Sequence, residues 1–212
     1  MQLTKKIADL APHNIRLHYT LSLVSRMCVG SGEISSLETG ILLHPLYGLP
    51  YIPASTIKGV VRSVWLNDIA LQHNIIFDEN SEKAWQQAEK LDNEFQICFG
   101  NQEQRGRVYF FDAFPVYQDK PLFELDIINP HYGDYYQKKE PPADYLSPVP
   151  NNFLVVKPKT IFEFCLIISI KQQEAREQLR QKIEKYFYLA VTEAGIGSKT
   201  SLGYGLFKKP DA

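Results

Sequence analysis

The stretch that most constrains this chain is the order of patterns between residues 160 and 207. TIFEFCLIISI (160–170) is a long apolar run rich in β-branched and aromatic residues, which reads as a buried strand. Directly after it, Ala175, Leu179, Ile183, Tyr186 and Ala190 mark an amphipathic helix expected to end near Ala194. GIGSKTSLGYG (195–205) then sets four glycines around one lysine and three small hydroxyl side chains, and LGYGLF reads as a short final strand. A strand, a helix and a returning strand form half of a split βαβ unit, and such a half needs a matching half upstream.

The matching half is present. Over 17–27, Leu17, Tyr19, Leu21 and Leu23 alternate with His18, Thr20 and Ser22, the pattern of a half-buried strand. In YIPASTIKGVVRSVW (51–65), Pro53 precedes a helix whose N-cap is expected at Ser55 or Thr56, and Ile57, Val60, Val61 and Val64 form its apolar stripe. A charged segment over about 80–96, carrying Trp85, Ala88 and Leu91, reads as a helical insertion within about 70–100. RVYFFDAF (107–114) is a strand by composition. Residues 115–158 hold eight of the thirteen prolines and are too aromatic for a disordered linker, so they read as a Pro/Tyr-rich insertion rather than a simple hairpin. The order β-α-β-β-α-β predicts an α+β, ferredoxin-like (RNA-recognition-motif-like) domain: an antiparallel sheet backed by two helices, with long insertions, over residues 1–212.

Charge narrows the possible partners. Twenty-three basic and twenty-four acidic residues give a formal net charge of −1, whereas proteins that bind nucleic acid alone are usually basic. A nucleic-acid role must come from a local patch or from a larger assembly. Cys28, Cys98 and Cys165 match neither zinc nor redox spacing and read as reduced, buried thiols. The N-terminus lacks a signal-peptide pattern and the longest apolar run is about half a membrane span, so a soluble cytoplasmic protein without a membrane partner is expected.

Two segments carry anion-binding chemistry. Lys58 and Arg62 lie i, i+4 on the helix face away from the apolar stripe, and an anion beside them would relieve their repulsion. Ser55, Thr56 and the first-turn N–H groups favour an anion at the same place, and Gly59 permits close backbone approach; a solvated basic face is the alternative. The glycine cluster is not a nucleotide P-loop, because Glu193 and Ser198 stand where that motif needs glycine and a helix precedes the loop. Gly195 suits a helix C′ position, and Gly203 and Gly205 suit close packing in the final strand. Gly197, Ser198, Lys199 and Thr200 suit an anion nest, which the proposed fold would place near the helix start as one groove.

Residues 126–150 set Tyr132, Tyr135, Tyr136 and Tyr145 beside Lys138 and Lys139, a composition suited to stacking on single-stranded RNA. Asp126, His131, Asp134 and Asp144 fit no metal-ligand spacing, so no metal or cofactor is expected. His13 and His18 are the candidates for acid–base chemistry in the rival reading, a metal-independent endoribonuclease. RGRVYFF (105–111) echoes an RNA-recognition-motif strand but places Arg107 and Val108 where that motif has an aromatic and a small residue.

YGLPYIPASTIKGVVRS (47–63) resembles the G-x-P-Y-I-P-[GA]-[ST]-[ST]-[IL]-K-G-x-x-R motif of RAMP proteins, the repeat-associated subunits of CRISPR effectors. GIGSKTSLGYGLF (195–207) resembles the glycine-rich loop that closes their ferredoxin-like domain. Phe99-Gly100, VYFFDAFP and DIINPHYGDYY look most like the small terminal, capping subunit of Cmr (type III-B) effectors. The resemblance implies antiviral RNA binding in a filament wound on guide RNA, beside the repeating backbone subunit and near the guide's 3′ end, with target RNA and other RAMP subunits as further partners. By position, Lys58, Arg62, Gly197, Ser198, Lys199 and Thr200 match the family motifs that meet the RNA backbone; with Ser55, Thr56, Gly59 and Gly195 they are the expected RNA contacts, and His131, Tyr132, Tyr135 and Tyr136 the expected RNA or subunit contacts. The resemblance places target cleavage on an early-loop aspartate of the backbone subunit; GSGEISSLETG (30–40) holds Glu33 and Glu38 but no aspartate, which implies a non-catalytic chain.

Overall fold

β1 (Asn14–Leu23) is the strand on which the sheet is built, and every other strand of that sheet is placed relative to it. The computed structural model describes residues 14–32, 40–75, 81–128 and 150–210. β6 (Ile161–Ser169) pairs with β1 antiparallel from Asn14↔Ser169 to Ser22↔Ile161. β7 (Phe207–Lys208) pairs on β1's other side, at Ser22↔Lys208 and Leu23↔Phe207. β2 (Val108–Phe110) and β3 (Phe114–Pro115) both pair with β6, so the strand order is β2-β6-β1-β7.

Side-chain alternation explains which face of this sheet is covered. Leu17, Tyr19, Leu21 and Leu23 of β1 and Phe162, Phe164, Leu166 and Ile168 of β6 are buried on one face. Two helices supply the other half of that core: α1 (Ala54–Gln72), through Ile57, Val61, Trp65 and Ile69, and α4 (Gln173–Leu189), through Leu179, Ile183 and Phe187. Trp65 stacks on Tyr186 with ring centroids 4.5 Å apart, and Tyr19 stacks on Phe187 at 4.6 Å. Cys28, Cys98 and Cys165 are free and buried. Among the described residues no helix is long and apolar enough to cross a membrane.

Five expectations are corrected. α1 starts at Ala54 after Pro53, not at a Ser55 or Thr56 cap; Asp112 reaches across from beyond β2 and accepts the Ala54 N–H at 2.7 Å. Its deepest stripe is Ile57, Val61, Trp65 and Ile69, while Val60 and Val64 are half-buried, because α1 rotates to bring Trp65 against Tyr186. The 107–114 strand is two strands, since Ala113 leaves the ladder to exchange backbone hydrogen bonds with Ile52. The 80–96 helix is α2 (Ser81–Leu91) and α3 (Asn93–Phe99), split where the Asp92 carboxylate accepts the Phe95 N–H at 3.0 Å and caps the second. The final strand is only β7, because Gly203 and Gly205 adopt φ of +84° and +72° and turn the chain.

The described parts of the 115–158 segment, 115–128 and 150–158, are more regular than its prolines suggest. β4 (Phe123–Ile128) and β5 (Asn151–Val156) form an antiparallel ribbon in register from Phe123↔Val156 to Ile128↔Asn151. The alternation of Phe123, Leu125 and Ile127 was the available signal. Met27 pairs with Val156, which docks the ribbon beside the end of β1.

Candidate nucleic-acid interface

The first two turns of α1 carry one half of the expected site. Ser55 and Gly59 are exposed, Thr56, Lys58 and Arg62 are partly buried, and a Cβ built on Gly59 meets nothing within 4 Å. Lys58 directs its Nζ to the Phe99 carbonyl at 3.4 Å, at the C-terminal, electronegative end of α3. Arg62 pairs with Glu89 of α2 and lies 5.7 Å from the Phe95 ring centroid. The repulsion read from the i, i+4 spacing is therefore met by partners in the helical insertion.

The glycine loop is braced from within. α4 runs into a π-helical turn (Ala190–Ala194), and Gly195 donates back to the Ala190 carbonyl at 3.0 Å. A Cβ at Gly197 would strike the Cys28 carbonyl, and one at Gly205 would strike the Ile196 carbonyl. Ile196 donates to Gly205, Ser198 to Cys28, and Gly205 to Arg26 through backbone N–H groups. These bonds use several of the donors that an anion nest would need. The N–H groups of Gly197, Lys199 and Thr200 make no backbone hydrogen bond among the described residues, and these three residues and Ser198 are partly buried. Ser198 Oγ lies 2.6 Å from Ser31 Oγ, and Lys199, with φ +61°, holds its Nζ 4.3 Å from the Phe153 ring centroid.

Beneath that loop lies a network absent from the sequence reading. Arg26 binds Glu124 at 2.6 Å and Asp126 at 3.3 Å, and the Tyr204 hydroxyl also donates to Asp126. Burial pushes the Asp126 carboxyl up, but Tyr204, the Ile127 N–H and the charges of Arg26 and Lys199 outweigh it and hold it below the usual range. The ribbon thereby fixes the loop that carries Ser198 and Lys199. No local spacing rule reveals this, because Arg26, Asp126 and Tyr204 come from three separate segments.

The two halves are anchored to different strands, although α1 packs against the Ala190–Ala194 turn that leads into the glycine loop. The start of α1 is hydrogen-bonded to residues following β2, whereas the glycine loop feeds β7. Among the described residues no hydrogen bond or ion pair links Ser55–Arg62 with Gly195–Thr200. His18 is exposed on the sheet face away from the helices, with Nε2 3.8 Å from Glu163. Among the described residues no group of three His, Cys, Asp or Glu side chains is placed to hold a metal ion. His13, Glu33, Glu38, His131, Tyr132, Asp134, Tyr135, Tyr136, Lys138, Lys139, Asp144 and Tyr145 lie outside the described residues.

The RAMP superfamily profile matches residues 20–208. The CRISPR system Cmr subunit Cmr6 of Pyrococcus furiosus is 35% identical, covering 85% of this chain and 64% of its own length. Cmr6 of Saccharolobus solfataricus is 35% identical over 81% of this chain and 49% of its own. The chain thus spans about half to two thirds of these curated relatives. Among solved structures, a chain of the type III-B Cmr-beta bound to cognate target RNA superposes with TM-score 0.68 and 28% identity, covering 99% of this chain and 63% of that one. The crystal structure of Cmr6 from Pyrococcus furiosus gives TM-score 0.61 and 30% identity, covering 94% and 99% respectively.

Proposed function

Because the chain belongs to the RAMP superfamily, we propose that it is a non-catalytic, RNA-binding subunit of a cytoplasmic type III-B Cmr effector ribonucleoprotein serving antiviral defence. In this reading the domain is ferredoxin-like, which the strand order β2-β6-β1-β7 with α1 and α4 on one face supports. It caps the backbone filament near the 3′ end of the guide RNA and supports target RNA binding beside the repeating backbone subunit. The likeness to a chain of a target-RNA-bound Cmr assembly is the observation that carries the RNA part.

The first turns of α1, exposed at Ser55 and Gly59, and the partly buried Ser198–Thr200 apex are the surfaces assigned to the RNA backbone, with Lys58 and Lys199 supplying charge. Gly59 fits close approach of a partner, since nothing within the described chain occupies the space beside it. The test is to express the tagged chain with its operon. Other RAMP subunits and guide RNA are expected to co-purify, and a chain recovered alone and free of RNA overturns the proposal. Lys58→Ala with Lys199→Ala is expected to reduce complex yield and RNA occupancy more than fold stability; unchanged yield and occupancy remove these residues from the interface.

A further inference from the structure

Four cations on the β2 side of the molecule lie close together without a carboxylate partner among the described residues. Arg26, Arg62, Arg180, Lys182 and Lys185 each meet a carboxylate. Lys58, Arg105, Arg107 and Lys171 form no ion pair among the described residues. All four line two adjoining cavities of about 320 and 570 Å³, which share Asn101, Gln104 and Arg105 in their walls. Neither cavity is lined by an aspartate or a glutamate. In a chain with net charge −1, four cations and no acid in the lining make this a locally basic trough.

The walls of the trough are preformed. Asn101 Oδ1 accepts the N–H groups of Glu103 at 2.9 Å and Gln104 at 2.8 Å, and the Arg107 N–H returns to the Ile97 carbonyl at 2.8 Å. These bonds fix the loop that presents Gln104 and Arg105. The Arg105 guanidinium lies 5.1 Å from the centroid of the Tyr109 ring, which orients it while leaving its carboxylate- and phosphate-binding donors unpaired by any described acid.

From this arrangement we propose that the RNA-binding surface at Ser55 and Lys58 extends along the trough to Arg105, Arg107 and Lys171, which take a single-stranded RNA backbone apart from the glycine loop. The cations meet phosphates, the Asn101 Nδ2 donates and the Gln104 amide both donates and accepts toward sugars and base edges, and Tyr109 offers an aromatic face. A protein partner is disfavoured because none of the exposed large hydrophobic residues lines the trough, while protein interfaces carry an apolar core. The inference rests on the RNA-binding reading above for its ligand and shares Ser55 and Lys58 with it, whereas Arg105, Arg107 and Lys171 belong to the trough alone.

The test uses the full chain within its operon-expressed complex, assembled on RNA containing 4-thiouridine. Photo-crosslinking is expected to map to the peptide carrying Arg105–Tyr109. Arg105→Gln, Arg107→Gln and Lys171→Gln together are expected to abolish that cross-link and to weaken binding of a labelled single-stranded oligoribonucleotide about tenfold. They are also expected to lower the salt slope by about 2, as loss of three phosphate contacts on a single strand requires. The three side chains are exposed, and an unchanged circular-dichroism melt checks the fold of the variant. Complexes that hold RNA with neither the cross-link nor the affinity change overturn the trough and leave the RNA-binding reading standing. Complexes free of RNA overturn that reading itself. Loss of a neighbouring subunit with RNA affinity intact assigns the trough to an acidic protein partner and overturns the RNA site.

Discussion

Gly59 lies in the second turn of α1 with open space where a Cβ would stand. A glycine inside a helix costs about 0.5–1 kcal/mol relative to alanine, and no intrachain contact offsets that cost. Gly59→Ala is expected to stabilise the isolated chain by about this amount, read as a higher urea midpoint, while lowering recovery of the RNA-loaded complex. A variant that is both more stable and fully assembled shows that no partner approaches the backbone there. The neighbouring cations mark how far spacing alone carries a residue-level reading. Lys58, Arg62 and Lys199 were visible as candidates, but the Phe99 carbonyl, Glu89 and the Phe153 ring that receive them come from distant segments. Spacing rules report neighbours on one helix and carry nothing about side chains arriving from another.

Asp92 shows the same limit for an element. One charged segment reads as one helix by period, yet a carboxylate in its middle caps α3 and also receives Trp65 Nε1 at 3.0 Å and Lys182 Nζ at 3.0 Å. Asp92→Ala is expected to cost about 1–3 kcal/mol, measured by urea unfolding, because it removes a cap and leaves buried donors without a partner. Burial pushes the Asp92 carboxyl up, but Lys182 and the N–H groups of Phe95 and Trp65 hold it below the usual range. Asp68 is held low by hydrogen bonds from the Tyr186 hydroxyl and Lys185. Both groups take up protons more readily in the unfolded chain, so their stabilisation is present above about pH 4 and fades as pH falls through the lowered values. The urea midpoint is expected to drop below about pH 4, and Asp68→Asn with Asp92→Asn to flatten that drop; an equally steep profile in the double variant places the acid sensitivity elsewhere. The strongly periodic elements were legible because burial on one face imposes period on composition: β1, β6, α1 and α4 were all foreseen. The β4–β5 ribbon was obscured by flanking prolines, although its own alternation was in view.

At the scale of the molecule, the apolar interior is divided in two, and this division separates the stability of the sheet from that of the glycine loop. The main core holds β1, β6, α1 and α4, whereas Cys28, Phe153 and Val155, with Ile128 and Tyr204 against them, form a small cluster under the loop and ribbon. A cluster of this size closes over few contacts, so the loop and ribbon are expected to open locally at lower free energy than the sheet unfolds. Trp65→Ala, which empties a fully buried site in the main core, is expected to cost about 3–5 kcal/mol and to lower the global urea midpoint. Phe153→Ala is expected instead to speed amide exchange at Ser198 and Gly205 by at least about tenfold while leaving exchange in β1 and β6 unchanged. The Ser198 and Gly205 amides report this opening directly, since they donate to Cys28 and Arg26 across the small cluster. Removing Phe153 also removes the ring beneath Lys199, so loop opening and loss of RNA occupancy should appear together in this variant. Uniformly faster exchange across loop and sheet would mean that the two clusters unfold as one, and that the loop is held by the whole domain rather than by its ribbon.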